Sequence, residues 1–159
     1  MSVAVFPGSF DPVTLGHVDI IRRAAACFDR LAVCVMVNSE KKPMFTAQER
    51  MRMLRAAVAD IPNVEVDSWD GLLAHYAAQR GASVLVKGVR NASDFDWEYQ
   101  MAAINRGLCP TLETVLLPAR GDYQHFSSTM VREMIRYGQP MERYVPEAAA
   151  EEIKRKGWA

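Results

Sequence analysis

Five times along this chain a short apolar run is followed by a segment whose apolar residues recur at helical spacing, and this alternation limits the fold more than any other feature. The runs fall at 2–6, 30–37 (RLAVCVMV), 64–66, 83–86 and 113–117. Runs that are apolar at successive positions suit strands covered on both faces. Between the first two, 17–28 places Ile20, Ile21, Ala24, Ala25 and Phe28 on one helical face and leaves Asp19, Arg22 and Arg23 for the outer one. Thr46 with Glu49 forms a capping box that opens a helix to about residue 59. Further helices are predicted over 72–80, 94–106 and 127–136, stopped by Gly81, Gly107 and Gly138. Strand–helix pairs joined by right-handed crossovers give an α/β fold: a single Rossmann-like, doubly wound domain with a five-stranded parallel sheet and helices on both faces.

At 159 residues there is room for one such domain, spanning 1–159, with 139–159 as a C-terminal helical extension. The charged, Ala-rich helix at 147–156 either caps the sheet or lies at a subunit contact. Lys plus Arg number 19 and so do Asp plus Glu. A balanced chain lacks the cationic excess of a nucleic-acid groove, so no nucleic-acid partner is expected. The first residues carry no basic leader and no apolar run approaches a membrane span, so no membrane partner is expected and the cytoplasm is the expected compartment. Cys27, Cys34 and Cys109 form no C-x-x-C pair and sit among apolar neighbours; reduced, buried thiols are expected.

In doubly wound sheets ligands bind beyond the carboxyl ends of the strands, which directs attention to the residues following each run. After the first comes Pro7-Gly8-Ser9-Phe10-Asp11-Pro12-Val13-Thr14-Leu15-Gly16-His17, a Gly/Pro-rich loop that delivers His17 into the first turn of a helix, where free N–H groups and the helix dipole favour anions. Neither G-x-G-x-x-G nor G-K-[ST] occurs, so this is a different phosphate cradle. Lys41 and Lys42 follow the second run, as point charges on flexible stems. Lys87 and Arg90 bracket Gly88 just after the fourth and face the same crevice. Asp94 and Glu98 sit one turn apart at the next helix start, where carboxylates suit the dipole. Ser127, Ser128 and Thr129 open a second anion-binding helix terminus. Leu72 and Leu73 start a helix beside the crevice and, with Met101 and Asn105, suit a long amphipathic substrate arm.

The string from Gly8 to His17, with Thr14-Leu15-Gly16-His17 at its end, resembles the signature of the nucleotidyltransferase superfamily with a T/H-x-G-H motif. Further blocks follow in order: Lys41-Lys42-Pro43-Met44-Phe45-Thr46, Val86-Lys87-Gly88-Val89-Arg90, Asp94-Phe95 with Glu98, and Phe126-Ser127-Ser128-Thr129. Through them the chain closely resembles, over about 8–146, the bacterial phosphopantetheine adenylyltransferase family. The resemblance implies reversible transfer of the adenylyl group from ATP to 4'-phosphopantetheine, giving dephospho-coenzyme A and pyrophosphate, with Mg2+ bridging the phosphates and a homohexamer built as two trimers. It implies His17 as transition-state stabiliser, with Lys41 and Arg90 as catalytic cations. For the acceptor it implies Ser9, Lys41, Leu73, Lys87 and Asn105. For ATP it implies Gly8, Ser9, Phe10, His17, Gly88, Val89, Arg90, Asp94, Glu98, Tyr123, Gln124, His125, Phe126, Ser127, Ser128 and Thr129; it assigns no protein ligand to the metal. Lys87 stands where many members have Arg, and Trp97 where many have Tyr; Lys keeps the charge and loses the bidentate fork.

Three other readings compete. One is a sister enzyme acting on nicotinamide mononucleotide or on glycerol 3-phosphate with CTP; another is an ATP-binding sensor without turnover. The third, a serine hydrolase built from Ser9, His17 and Asp11, lacks the G-x-S-x-G elbow and crowds three partners into one loop.

Overall fold

The computed structural model describes residues 1–158. Each apolar run becomes a strand: β1 (Val3–Gly8), β2 (Arg30–Val37), β3 (Val64–Asp70), β4 (Val84–Val89) and β5 (Glu113–Pro118). They pair in parallel in the order β3-β2-β1-β4-β5. Among the described residues six α-helices connect or follow them: α1 (Leu15–Ala25), α2 (Ala47–Ala57), α3 (Leu73–Gln79), α4 (Ala92–Leu108), α5 (Ser128–Arg136) and α6 (Glu147–Arg155). None of these helices is long and apolar enough to cross a membrane.

Strand side chains alternate between faces, and the continuous apolar runs therefore feed two separate cores. Ala4, Phe6, Val33 and Val35 face the cluster containing Ile20, Ile21 and Ala24 of α1, Leu54 of α2, Val131 of α5 and Ile153 of α6. Val5, Ala32, Cys34 and Leu85 face Ala74, Tyr76 and Ala77 of α3. Helices thus cover both faces of the sheet, as the sequence predicts. The starts of α1 and α2 are fixed by capping boxes, Thr14 with His17 and Thr46 with Glu49, each satisfying two N–H groups that the helix leaves free.

The winding sets the position of any site. From β1 the chain builds outward to β2 and β3, then returns to lay β4 on the other side of β1. Register between β1 and β4 runs only through Ala4–Val84 and Val5–Leu85, whereas β1 stays paired with β2 through Gly8–Val35. Beyond Val5 and Leu85 the two central strands part and leave a crevice at the point where the winding reverses.

Several expectations are corrected. β4 extends through Val89, so Lys87 and Gly88 lie in the strand and Arg90 alone follows it. Gly107 does not stop α4, which runs to Leu108 and ends at Cys109, in extended conformation because the residue before a proline, here Pro110, disfavours the helical region. Leu72 is an exposed N-cap outside α3. Asp19 is not on an outer face: its carboxylate is 11% exposed, with Arg23 at 3.0 Å and Arg120 at 3.5 Å. Of the three thiols only Cys34, at the centre of β2, is buried; Cys109 is half-buried and Cys27 exposed, because α1 ends before it. α6 packs within the chain: Ala149, Ala150 and Ile153 enter the core, and the Trp158 ring meets Phe45 edge-on at 5.3 Å.

One buried carboxylate ties the loop after β1 to the loop after β2. Asp11 accepts from the Met44 N–H at 2.9 Å and the Phe45 N–H at 2.8 Å, while the Arg132 guanidinium donates to the Asp11 carbonyl at 2.7 Å. Asp11→Ala leaves two amides without an acceptor and is expected to cost about 2–4 kcal/mol, read as a lower urea midpoint at unchanged m value.

Candidate active site

His17 is the third residue of α1, and the cap that begins the helix also sets its tautomer. The Thr14 N–H donates to His17 Nδ1 at 3.0 Å, while the Thr14 hydroxyl accepts from the His17 N–H at 3.2 Å. With Nδ1 accepting, the neutral ring carries its proton on Nε2. The ring lies edge-on to Phe10 at 5.0 Å. Burial, then the charges of Arg90 and Lys87, lower its pKa to about 4. At neutral pH it is therefore an uncharged donor, not a solvent-facing cation. Phe10 takes the left-handed region at φ 48 and lays its ring over Gly8, where a Cβ would stand 3.0 Å from the ring carbons. On β4 a Cβ at Gly88 would come within 3.3 Å of Ile20, so the glycine lets α1 pack closely on the strand.

These residues line a cavity of about 320 Å³ in the crevice between β1 and β4. Gly8, Phe10 and His17 form one wall, Lys87, Gly88 and Arg90 the opposite one, Asp94 and Glu98 of α4 the side, and Tyr123, Phe126, Ser127, Ser128 and Thr129 the cover. Its charges are partly paired. Asp94 accepts from the Arg90 backbone N–H at 3.0 Å and from its Nε at 3.2 Å, and Lys87 Nζ stands 3.2 Å from Glu98. All three hydroxyls serve the fold: Ser127 caps α5 by accepting from the Met130 N–H, Ser128 donates to the Pro12 carbonyl at 2.7 Å, and Thr129 accepts from the Arg132 guanidinium at 3.1 Å. Val89, Gln124 and His125 do not line this cavity.

Ser9 and Lys41 lie elsewhere. They line a second cavity of about 420 Å³ with Lys42, Arg50, Arg132 and Arg136. Leu73 and Asn105 line a third, small pocket of about 80 Å³ with Met101 and Trp97; Lys87 and Glu98 belong both to this pocket and to the first cavity, so their ion pair stands between the two. The hydrolase reading fails on geometry, since Asp11 is engaged by backbone amides and His17 Nδ1 by Thr14. Reasoning from sequence missed Arg50, Arg132 and Arg136. The four-residue spacing of the last two on α5 was available as a signal; Arg50 gave none, because Ser9 and Met36, whose carbonyls bring its Nη1 to this cavity, come from elsewhere in the chain.

A family model described as cytidylyltransferase-like matches residues 5–134. The chain belongs to the cytidylyltransferase-like family. Within it the chain is 47% identical to the phosphopantetheine adenylyltransferase of Caldanaerobacter subterraneus subsp. tengcongensis, covering 98% of both chains. It is 51% identical to the phosphopantetheine adenylyltransferase of Symbiobacterium thermophilum, covering 98% of this chain and 96% of that one. A crystal structure of a Vibrio parahaemolyticus protein, provisionally named a nicotinate-nucleotide adenylyltransferase, superposes with TM-score 0.70 at 18% identity, covering 99% of this chain and 95% of that one, which shows the shared fold. The cytidylyltransferase-like match takes in β1 through most of α5, the elements that build both larger cavities.

His17 should show the Nε2–H tautomer in nitrogen-15 spectra at pH 7 and no titration above about pH 5. Because its folded pKa of about 4 lies below the unfolded value of 6.5, the stability it contributes is complete above pH 6.5 and is lost as pH falls toward 4. Thermal melts of the wild type should therefore lose more on acidification across that window than melts of His17→Gln.

Proposed function

We propose that the chain transfers the adenylyl group of ATP to 4'-phosphopantetheine, releasing pyrophosphate and forming dephospho-coenzyme A. Near-complete coverage by relatives named for this activity supports the reaction. The observation that carries the chemistry is a neutral His17 presenting Nε2–H into a crevice beside Arg90 and Lys87. The acceptor is already a phosphate anion, so no base need remove a proton. One of its oxygens attacks the α-phosphorus in line; the new P–O bond forms as the bond to the β-phosphate breaks, and the electron pair leaves on pyrophosphate. Negative charge gathers on the non-bridging α-oxygens, where a fixed donor stabilises the transition state more than the ground state. A histidine that remains neutral holds that proton throughout.

For the other residues the proposed roles follow position. Ser9 and Lys41 hold the acceptor phosphate, Lys87 exchanges Glu98 for a phosphate oxygen, and Leu73 with Asn105 receives the pantetheine arm. Arg90 and the Ser127–Thr129 turn hold the outer phosphates of ATP, with Tyr123 and Phe126 covering the nucleotide. No group of three or more His, Cys, Asp or Glu side chains among the described residues could hold a metal ion, and this donor set fits Mg2+ carried on phosphate oxygens and water rather than in a protein cage. Bound there it would neutralise charge on the leaving phosphates. We further propose a cytoplasmic enzyme assembled as a homohexamer; Trp97, Tyr99 and Ile104 on α4, each more than half exposed, are the apolar surface that assembly would cover. Light scattering of the purified chain measures that state.

The reaction is tested by pyrophosphate release from Mg-ATP with 4'-phosphopantetheine in one tube and nicotinamide mononucleotide in another, with mass detection of dephospho-coenzyme A in the first only. His17→Ala should lower turnover about 10²–10³-fold with little change in ATP affinity, separated by steady-state kinetics and equilibrium binding. Lys41→Ala should raise the KM for phosphopantetheine and leave that for ATP nearly unchanged; the reverse pattern would exchange the two phosphate sites.

A further inference from the structure

Arg50 has no part in the roles assigned above, and its surroundings are unusual for an arginine. It is 4% exposed and held by main-chain carbonyls: Nη1 donates to Ser9 O at 2.9 Å and Met36 O at 3.5 Å, and Nε to Phe45 O at 3.1 Å and Thr46 O at 3.4 Å. Nη2 donates to nothing among the described residues. No buried side-chain nitrogen or oxygen there lacks a hydrogen-bond partner, so Nη2 is not sealed in the core. It opens instead on the cavity of about 420 Å³ that Arg50 lines with Ser9, Lys41, Lys42, Arg132 and Arg136. Five cations meet there. The carboxylate among them, Asp11, is engaged by the Met44 and Phe45 amides and stands 3.9 Å from Arg132.

Burying a guanidinium among carbonyls costs desolvation that an apolar side chain of similar volume would avoid. Nη1 and Nε serve the fold by holding these carbonyls, but Nη2 takes no part in that, and a rigid donor with a free N–H pair suits an oxyanion. We propose that Arg50 is a phosphate-binding residue, whose Nη2 donates to an oxyanion held in this cavity while Nη1 and Nε keep the Ser9 and Phe45 carbonyls in place around it. The inference rests on the proposed reaction for the two sources of such an anion, the acceptor's phosphate and the pyrophosphate product.

Calorimetric titration with inorganic pyrophosphate and, separately, with 4'-phosphopantetheine tests it on the wild-type chain and on Arg50→Gln. Losing a charge-assisted hydrogen bond should weaken the affected anion about 10- to 100-fold, while adenosine, which carries no phosphate, binds both chains within twofold. Weakening of pyrophosphate alone names the product as the source, and weakening of phosphopantetheine alone names the acceptor. In the wild-type chain the nitrogen-15 signals of the Arg50 side chain should shift on adding the same anion, a readout that stands even where Arg50→Gln fails to fold. Arg50→Gln binding both anions within twofold of wild type, or Arg50 signals unmoved at saturation, overturns the proposal. A wild-type chain that releases no pyrophosphate with phosphopantetheine, yet whose Arg50 signals move with pyrophosphate, would sink the reaction and leave the role of Arg50 standing.

Discussion

Beyond Val5 and Leu85 the two central strands have no partner in each other, and the chemistry of this molecule depends on that separation. Right-handed crossovers oblige helices that lie on opposite faces to leave the sheet on opposite sides of β1. The loop after β1 and the end of β4 therefore cannot continue the ladder. Their free backbone groups and side chains face a shared gap, and everything that lines it, from Gly8 and His17 to Lys87 and Arg90, arrives there as a consequence of strand order. Glycine at positions 8 and 88 suits close packing: the Phe10 ring lies over one and Ile20 of α1 over the other.

Around that gap the protein holds its charges in pairs. Arg90 is bound to Asp94 and Lys87 to Glu98, arrangements that keep half-buried cations solvated by carboxylates. His17 is treated in the opposite way. Burial, and after it two nearby cations, suppress its charge, converting a residue that often titrates near neutrality into a fixed donor. A histidine kept neutral beside cations adds a directed N–H donor without adding charge.

Much of the fold was legible because the signals are local. Successive apolar residues in 30–37 predict a strand buried on two faces, and β2 has those bounds. Thr46 and Glu49 announce the start of α2 through atoms three residues apart. Where the reading failed, a distant contact had overridden a local preference. Lys87 and Gly88 look like loop residues but are drawn into β4 by pairing with Leu116 and Leu117. Asp19 looks like a surface charge until Arg120, a hundred residues along the chain, closes over it. Cys27 reads as apolar and buried, yet the helix ends before it and turns it outward.

By itself the sequence determined the alternation of strands and helices, the two-faced core, the caps, and the presence of a Gly/Pro-rich loop that delivers His17 to a helix start, since each depends on spacing within a few residues. Only the tertiary structure decided how these groups divide. It placed His17 and Arg90 in one cavity and Ser9 with Lys41 in another, and it set the Lys87–Glu98 pair between the first and the pocket beside Leu73. It also brought in Arg50, Arg132 and Arg136, which no motif marked. The reason is physical: a cavity's electrostatics come from side chains converging from separate crossovers. Their distances are set by the packing of helices on a twisted sheet rather than by any interval along the chain.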